Sequence, residues 1–210
     1  MKRNNNCTVI FQAVETRAKH ERREKQQKAN LSLSVKEVWK ECTGISASGL
    51  DRMEWTSNFA HHIKALECDD SWNLEFDDKI DPKNPDPGWR TFMWCSSAWF
   101  KCSGCQRRWP ADKVKVAFHM RRWKKKGTVK VKRFRQRCKS CSNAPMAMPS
   151  IPPKNIDILM EKLVQHIEVK CYGKAVDFGS GRSATLEVHD NHEPEHCEAC
   201  KAGVCRSGGI

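Results

Sequence analysis

Two Cys-x-x-Cys pairs in the middle of the chain are well suited to bind a metal ion. Cys102 and Cys105 form the first pair, and Cys138 and Cys141 form the second after thirty-two intervening residues. Two residues between the cysteines let the chain turn back, so both thiolates reach one ion at a Zn–S distance of about 2.3 Å. Each pair therefore supplies half of a tetrahedral zinc site.

A third pair, Cys197 and Cys200, lies near the end of the sequence, with Cys205 and several histidines beside it. This density of soft ligands is specific for metal, because chance rarely places so many within fourteen residues. Six paired thiolates, Cys205 and one histidine fill two four-ligand sites. Closed four-ligand sites are structural, since a catalytic zinc keeps one position open for water. The sequence predicts two structural Zn²⁺ ions and no catalytic residue.

The segment between the first two pairs predicts a hairpin that brings their ligands together. Two runs with period-2 alternation, Val114 to Phe118 and Val129 to Val131, flank a basic turn at Lys124 to Gly127. A hairpin brings its two ends together, which favours one ion shared by the first four cysteines. The ligands near the end of the sequence then share the second ion. A crossed arrangement stays open, because all eight ligands can converge in one region.

The remaining patterns predict the elements around this hairpin. Alternating apolar residues predict strands at 72–76 and 89–100. Apolar stripes predict amphipathic helices from Trp55 to Leu66 and from Asn155 to Ile167, the second stopped at Gly173. The predicted fold class is α+β, with a zinc-ribbon-like antiparallel sheet, packed amphipathic helices and two structural zinc sites. The predicted domain covers 52–206, after a polar, basic, disordered or helical extension at 1–50.

Positive charge is concentrated on the predicted hairpin. Residues 101–141 hold sixteen Lys and Arg against one Asp, whereas the whole chain carries a net charge of +13. Such a field attracts polyanions, so it predicts a contact with RNA, an anionic membrane surface or an acidic receptor segment. Trp109 and Trp123 are available to stack on bases. The candidate contact residues are Arg107, Arg108, Arg121, Arg122, Lys124, Lys125, Lys126, Arg133 and Arg135.

Several function classes are disfavoured by what the sequence contains. No Ser-His-Asp, paired-carboxylate or zinc-deaminase pattern is present, so we expect no enzyme activity and no small-molecule substrate. No signal sequence opens the chain, which favours reduced, metal-bound cysteines over disulfides. The isolated Cys7 and Cys42 are predicted to be free thiols. No apolar run is long enough to span a bilayer.

An ordered set of further residues resembles one protein family. The set consists of Trp55-x-x-x-Phe59, Trp72-x-Leu74, Gly88-Trp89, Ala98-x-Phe100-x-Cys102-Ser-x-Cys105, Trp109, Val114-x-Val116-x-x-His119, Gly127-x-Val129, Phe134-x-Gln136-x-Cys138, Cys141, residues 163–167, Tyr172-Gly173 and His192 before Cys197-Glu-Ala-Cys200-x-x-Gly203-x-Cys205. It is similar to the receptor-transporting protein family, whose domain is called the 3CxxC-type zinc finger. The resemblance selects His192, rather than His189 or His196, as the fourth ligand of the second site. Cys171 is kept as a reserve ligand.

The resemblance implies a non-enzymatic accessory role. Family members help odorant and taste receptors of the seven-helix, G-protein-coupled class to fold, leave the endoplasmic reticulum and reach the cell surface. They do so at the cytoplasmic face of these membranes. Some relatives instead bind viral RNA, which makes an antiviral RNA-binding protein the alternative function. Membrane-bound members continue beyond the last cysteine into a transmembrane helix that this sequence does not contain, so we expect a soluble member or a truncated sequence.

Overall fold

The computed structural model describes residues 47–176 and 193–205. Most of the predicted extension at 1–50, the predicted free thiols Cys7 and Cys42, and the predicted ligand His192 lie outside the described residues. The chain divides into two compact units, Met1–Met53 and Glu54–Ile210. Of the first unit, only helical residues 47–53 are described. The domain bounds 52–206 stay a prediction.

Three helices, two 3₁₀ turns and four strands make up the described fold. Their order along the chain is α1 (Ala47–Ile63), a 3₁₀ turn (Lys64–Leu66), β1 (Ser71–Phe76), β2 (Arg90–Lys101), β3 (Arg108–Trp123), β4 (Lys126–Arg133), α2 (Pro153–Tyr172), a second 3₁₀ turn (Pro194–His196) and α3 (Glu198–Lys201). The predicted α+β fold class is confirmed. The first helix begins earlier than its apolar stripe, which starts at Trp55.

The four strands form one mixed sheet in the order β1-β4-β3-β2. Strands β3 and β4 pair antiparallel with Phe118 opposite Val131, which is the hairpin that the alternating pattern predicts. Strand β2 also pairs antiparallel with β3. Strand β1 instead runs parallel to β4, with Trp72 opposite Gly127. Parallel neighbours need a long connection, and here β2 and β3 lie between β1 and β4 in the sequence.

The larger part of the core lies between the sheet and the helices. Val116, Phe118 and Met120 alternate along β3 and are fully buried. They belong to one apolar cluster with Trp55 and Phe59 of α1 and with the stripe Ile156, Leu159, Leu163 and Ile167 of α2. His62 Nε2 lies 2.7 Å from Asp157 Oδ1 and ties the two helices together. The apolar stripes of both helices are therefore packing surfaces.

The opposite face of β3 carries a smaller apolar cluster. Ala117 alternates with Val116 and Phe118, so it points to the other side of the sheet. It clusters with Ile80, Phe134, Cys197, Ala199 and Val204. The segment from Cys197 to Val204 therefore packs on the side of the sheet away from the helices.

Helix α2 ends where its sequence predicts. Gly173 has φ 69°, a left-handed conformation that favours glycine, and its N–H donates to Val169 O over 3.1 Å. Within the part of the chain that the structure describes, no helix is both long enough and apolar enough to cross a membrane.

Candidate metal centre

The first Cys-x-x-Cys pair forms the tight turn between β2 and β3. The N–H of Cys102 donates to Arg107 O over 2.9 Å, and the N–H of Gln106 donates to Cys102 O over 3.1 Å. Gln106 has φ 60°, so the chain reverses there through a left-handed residue. Because these hydrogen bonds close the loop, the thiols of Cys102 and Cys105 are held close together.

Four sulfur atoms converge where this turn meets the second pair. The Sγ atoms of Cys102, Cys105, Cys138 and Cys141 all lie within 4.8 Å of one another, and we call these residues the first cysteine group. Cys105 Sγ and Cys138 Sγ are 3.7 Å apart. Tetrahedral zinc with bonds of about 2.3 Å holds its thiolates about 3.8 Å apart. The donor set and its spacing therefore fit a zinc ion.

The acidity of these thiols differs because their surroundings differ. A hydrogen bond from the backbone N–H of Cys105 is the largest of the effects that lower the pKa of Cys102 to about 7. The neighbouring Cys105 thiol is the largest of the effects that raise the pKa of Cys141 to about 12. Zinc binds thiolates, so its binding must displace protons from the group. Zinc affinity should therefore fall in acid.

A second group of three sulfurs lies at the end of the described residues. Cys197, Cys200 and Cys205, the second cysteine group, also lie within 4.8 Å of one another. Helix α3 carries Cys200, and Gly203 with φ 66° turns the chain so that Cys205 approaches the other two. Burial raises the pKa of Cys197, and it raises that of Cys200 to about 12. Three thiols leave one tetrahedral position for a further ligand.

The described histidine nearest in sequence to this group does not join it. His196 stands directly before Cys197, yet its Nε2 lies 3.4 Å from Glu193 Oε2 and it is not among the clustered ligands. Cys171, the reserve ligand, belongs to neither cysteine group. The predicted fourth ligand, His192, lies outside the described residues, so its place at the site stays a prediction.

One short segment connects the two cysteine groups. Gln136 forms a bridge with Cys197, and the N–H of Arg137 donates to His196 O over 2.7 Å. The side chain of Gln136 accepts a 2.8 Å hydrogen bond from Trp109 Nε1. Cys138 follows two residues after Gln136. The first group is thus joined to the second through backbone hydrogen bonds, although the two groups are separate in space.

Comparison with known proteins shows which family this cysteine-containing domain belongs to. A family model for a zinc-binding domain, the 3CxxC zinc ribbon, matches residues 95–203. The match covers half of the chain and includes all three Cys-x-x-Cys pairs. The chain belongs to the receptor-transporting protein family. The family assignment that the sequence predicts is confirmed, and with it the presence of a zinc-binding domain.

Curated relatives carry the same family name. Receptor-transporting protein 4 of Homo sapiens is 30% identical over 163 residues, which make up 76% of this chain and 66% of that protein. Receptor-transporting protein 3 of Mus musculus is 31% identical over 76% of this chain but only 35% of its own length. Receptor-transporting protein 2 of Mus musculus is 29% identical over 75% of this chain and 72% of its own length. No solved structure matches.

The residues that the sequence nominates for contact with an anionic partner do not form one surface in this member of the receptor-transporting protein family. Arg107 and Arg108 lie at the first turn, whereas Lys124, Lys125 and Lys126 lie at the other end of β3, about 50 Å away along a strand that rises about 3.3 Å per residue. Acidic residues from the stretch before β2 engage cations of this hairpin in the pairs Arg122–Asp70, Lys130–Asp77 and Arg135–Asp78. Arg133 is buried, and Arg121 lies 4.7 Å over the Trp89 ring. The acidic stretch before β2 therefore screens part of the basic hairpin.

Sequence reasoning missed the connecting role of Gln136. Its side chain orients Trp109 and its backbone bridges to the second cysteine group. The available signal was its position two residues before Cys138, within the motif that resembles the receptor-transporting family. A glutamine two residues before Cys138 does not by its residue type indicate which residues it contacts. Only the fold shows what it contacts.

Proposed function

We propose that this protein is a zinc-stabilised accessory factor that promotes the folding, trafficking and cell-surface expression of seven-helix receptors of the odorant or taste type. Its membership of the receptor-transporting protein family carries the proposal. The receptor would be bound at the cytoplasmic face of the endoplasmic reticulum or plasma membrane by the domain at 52–206. The relatives' names support a receptor as the partner.

The proposed role of zinc is structural. One ion would be held by the first cysteine group and a second by His192 with the second cysteine group. Four sulfurs with tetrahedral spacing support the first site, because a filled coordination shell leaves no position for substrate or water. Such a site stabilises the turns around it and performs no reaction. We therefore propose a non-enzymatic protein without a small-molecule substrate.

The zinc ions would stabilise the turn after β2 and the terminal segment, and so keep the receptor-binding domain folded. The first cysteine group joins the turn after β2 to the chain after β4. The second joins the terminal segment to the smaller apolar cluster around Phe134. Structural zinc in small domains contributes on the order of 10 kcal/mol of apparent binding free energy. Loss of either ion should therefore remove receptor-directed activity by unfolding part of the domain.

RNA binding is the second candidate function, favoured by the exposed Lys124, Lys125 and Lys126 beside Trp123. The ion pairs of Arg122 and Arg135 count against it, because they occupy two of the nominated cations. A filter-binding titration with single-stranded RNA at several salt concentrations tests it. RNA binding would weaken steeply with salt, because each neutralised phosphate releases counterions.

Surface delivery of a receptor tests the main proposal. The chain is co-expressed with an epitope-tagged seven-helix odorant or taste receptor, and surface receptor is measured by flow cytometry on unpermeabilised cells. We expect more surface receptor with the chain than without it, and co-precipitation of the two proteins.

Two variants sharpen this test. Cys138→Ser should abolish the gain, whereas Cys95→Ser, at a half-buried position outside both cysteine groups, should keep it. Unchanged surface receptor over a panel of odorant and taste receptors, with normal total expression, would refute the proposed function.

A further inference from the structure

The turn between β3 and β4 ends in an exposed tryptophan beside three lysines. Trp123 is 70% exposed, the largest fraction among the big apolar side chains of the described residues. Lys124, Lys125 and Lys126 are exposed as well. We call these four residues the basic tip. An exposed indole flanked by three cations is suited to an interface that is apolar on one side and anionic on the other.

Backbone and side-chain contacts fix the position of the basic tip. Trp123 pairs with Lys126 across the hairpin, and the N–H of Ser71 donates to Lys125 O over 3.0 Å. Lys124 takes a left-handed conformation with φ 53°, which closes the turn in two residues. Directly behind the tip, the Arg122 guanidinium lies 4.5 Å over the Tyr172 ring and binds Asp70. The backbone of the tip is therefore held in place by β1 and by the residues behind it, while its three lysines stay exposed.

A cationic cavity lies on the same end of the sheet. Arg90, Lys170, Trp89, Thr91 and Pro85 line a space of about 450 Å³. Arg90 pairs with Met120, only three residues before Trp123. Lys170 Nζ donates to the carbonyl oxygen of Thr91, so a second cation also lines this open space. Positive charge therefore extends from the tip along this end of the domain.

We propose that the basic tip is a peripheral contact site for an anionic lipid membrane. Trp123 would enter the headgroup region, where an indole keeps its apolar ring in the interface and its N–H in contact with polar groups. Lys124, Lys125 and Lys126 would neutralise acidic headgroups, and the cavity between Arg90 and Lys170 would accept one headgroup phosphate.

The shape of the tip favours a membrane over RNA. Single-stranded nucleic acid is bound in a basic groove with several aromatic side chains for successive bases. The tip is instead a two-residue turn with one exposed ring, while Trp109 is buried about 50 Å away near the cysteine groups. An exposed tryptophan with flanking lysines matches the interfacial anchors of membrane-associated proteins.

Vesicle co-sedimentation of the zinc-loaded, 210-residue chain tests the proposal. Vesicles of phosphatidylcholine mixed with phosphatidylserine should sediment the chain, and vesicles of phosphatidylcholine alone should not. Replacing Lys124, Lys125 and Lys126 by Gln should lower the partition coefficient about a hundredfold, because each lysine near an anionic surface contributes about fivefold. The matched control replaces the exposed Lys113, Lys154 and Lys201 by Gln and should leave most of the binding intact.

Insertion of the indole has its own readout. Lipids brominated on their acyl chains should quench part of the tryptophan fluorescence, and Trp123→Phe should remove that quenching. Trp99→Ala, at a side chain that is 45% exposed on β2, is the matched control and should preserve it. Circular dichroism and zinc content verify that each variant is folded.

Three outcomes would overturn the proposal. One is equal sedimentation with both vesicle types. Another is a tip triple variant that binds vesicles as well as its control does. The third is that the chain binds single-stranded RNA but not vesicles, and that the triple variant of the tip loses the RNA binding.

Discussion

The hydroxyl of Tyr172, the last residue of α2, donates a 2.6 Å hydrogen bond to Asp70 Oδ2, just before β1. The same hydroxyl accepts a 3.0 Å hydrogen bond from Trp72 Nε1. Arg122 of β3 completes the arrangement through its 2.5 Å contact with Asp70 Oδ2. A single phenol thus joins the end of α2 to β1 and to the base of the hairpin.

Tyr172→Phe should lower the melting temperature, measured by circular dichroism with zinc bound. The half-buried indole N–H of Trp72 loses its acceptor and Asp70 loses a donor, and a hydrogen bond of this kind contributes about 1 kcal/mol. Asp70→Asn should also lower the melting temperature, because it leaves Arg122 without its carboxylate partner. Asp69→Asn, at the exposed neighbouring position, is the control. Equal melting temperatures for Tyr172→Phe and the unmodified chain would contradict this prediction.

Gly127→Ala should destabilise the sheet strongly. A Cβ at this position would lie 2.0 Å from Trp72 Cδ2 on the paired strand, so the indole or the strand must move. Overpacking of this kind costs about 1–3 kcal/mol. Gly104→Ala is the comparison, since its Cβ meets neighbours only at 3.6 Å or more. Combining Gly127→Ala with Trp72→Leu should recover part of the lost stability, because the smaller side chain removes the clash. A double variant no more stable than Gly127→Ala would contradict this explanation.

Stability should fall as the pH drops below 6.5 because of His119. Burial lowers the pKa of His119 from its usual 6.5, so the folded protein resists protonation that the unfolded chain accepts. The unfolded state then binds more protons between pH 6.5 and the lowered folded pKa, and the free energy of unfolding decreases in that window. His119→Gln should reduce this dependence in urea titrations, and part of it should remain because burial also lowers the pKa of His166. An unchanged pH dependence in His119→Gln would contradict this prediction.

Cys138→Ser should reduce bound zinc from two ions toward one. Its thiol is buried in the first cysteine group, and a serine hydroxyl is a far weaker zinc ligand. Inductively coupled plasma mass spectrometry of protein purified under reducing conditions measures the zinc content, and Cys95→Ser should retain both ions. A single zinc in the unmodified chain would contradict the two-site assignment.

His192→Ala should weaken the second zinc site, while His196→Ala should not. The second cysteine group supplies three sulfurs, and His196 is engaged with Glu193 instead. Cobalt substitution reports the ligand set, because a site with three thiolates and one imidazole differs in its visible spectrum from a four-thiolate site. Loss of that signature in His196→Ala but not in His192→Ala would reverse the assignment.

Local patterns in the sequence determine the turns, the hairpin and the helices. Two-residue spacing makes each Cys-x-x-Cys a metal-binding turn, and alternation around Lys124 to Gly127 specifies the β3–β4 pair. The apolar stripe and Gly173 specify α2 and its end. Each of these signals depends on neighbours within a few residues, which is why the sequence alone reveals it. The assignment of zinc chemistry rests on ligand type and spacing for the same reason.

Tertiary structure decided the features that join distant residues. The parallel pairing of β1 with β4, the bridge from Gln136 to Cys197 and the neutralisation of Arg122 by Asp70 connect segments about fifty residues or more apart. Such contacts depend on how both partners pack against the rest of the chain, and neither partner's local sequence encodes the other. The same holds for charge, because a count of lysines and arginines cannot tell which are paired. Only the fold separates the screened cations from those that the basic tip exposes.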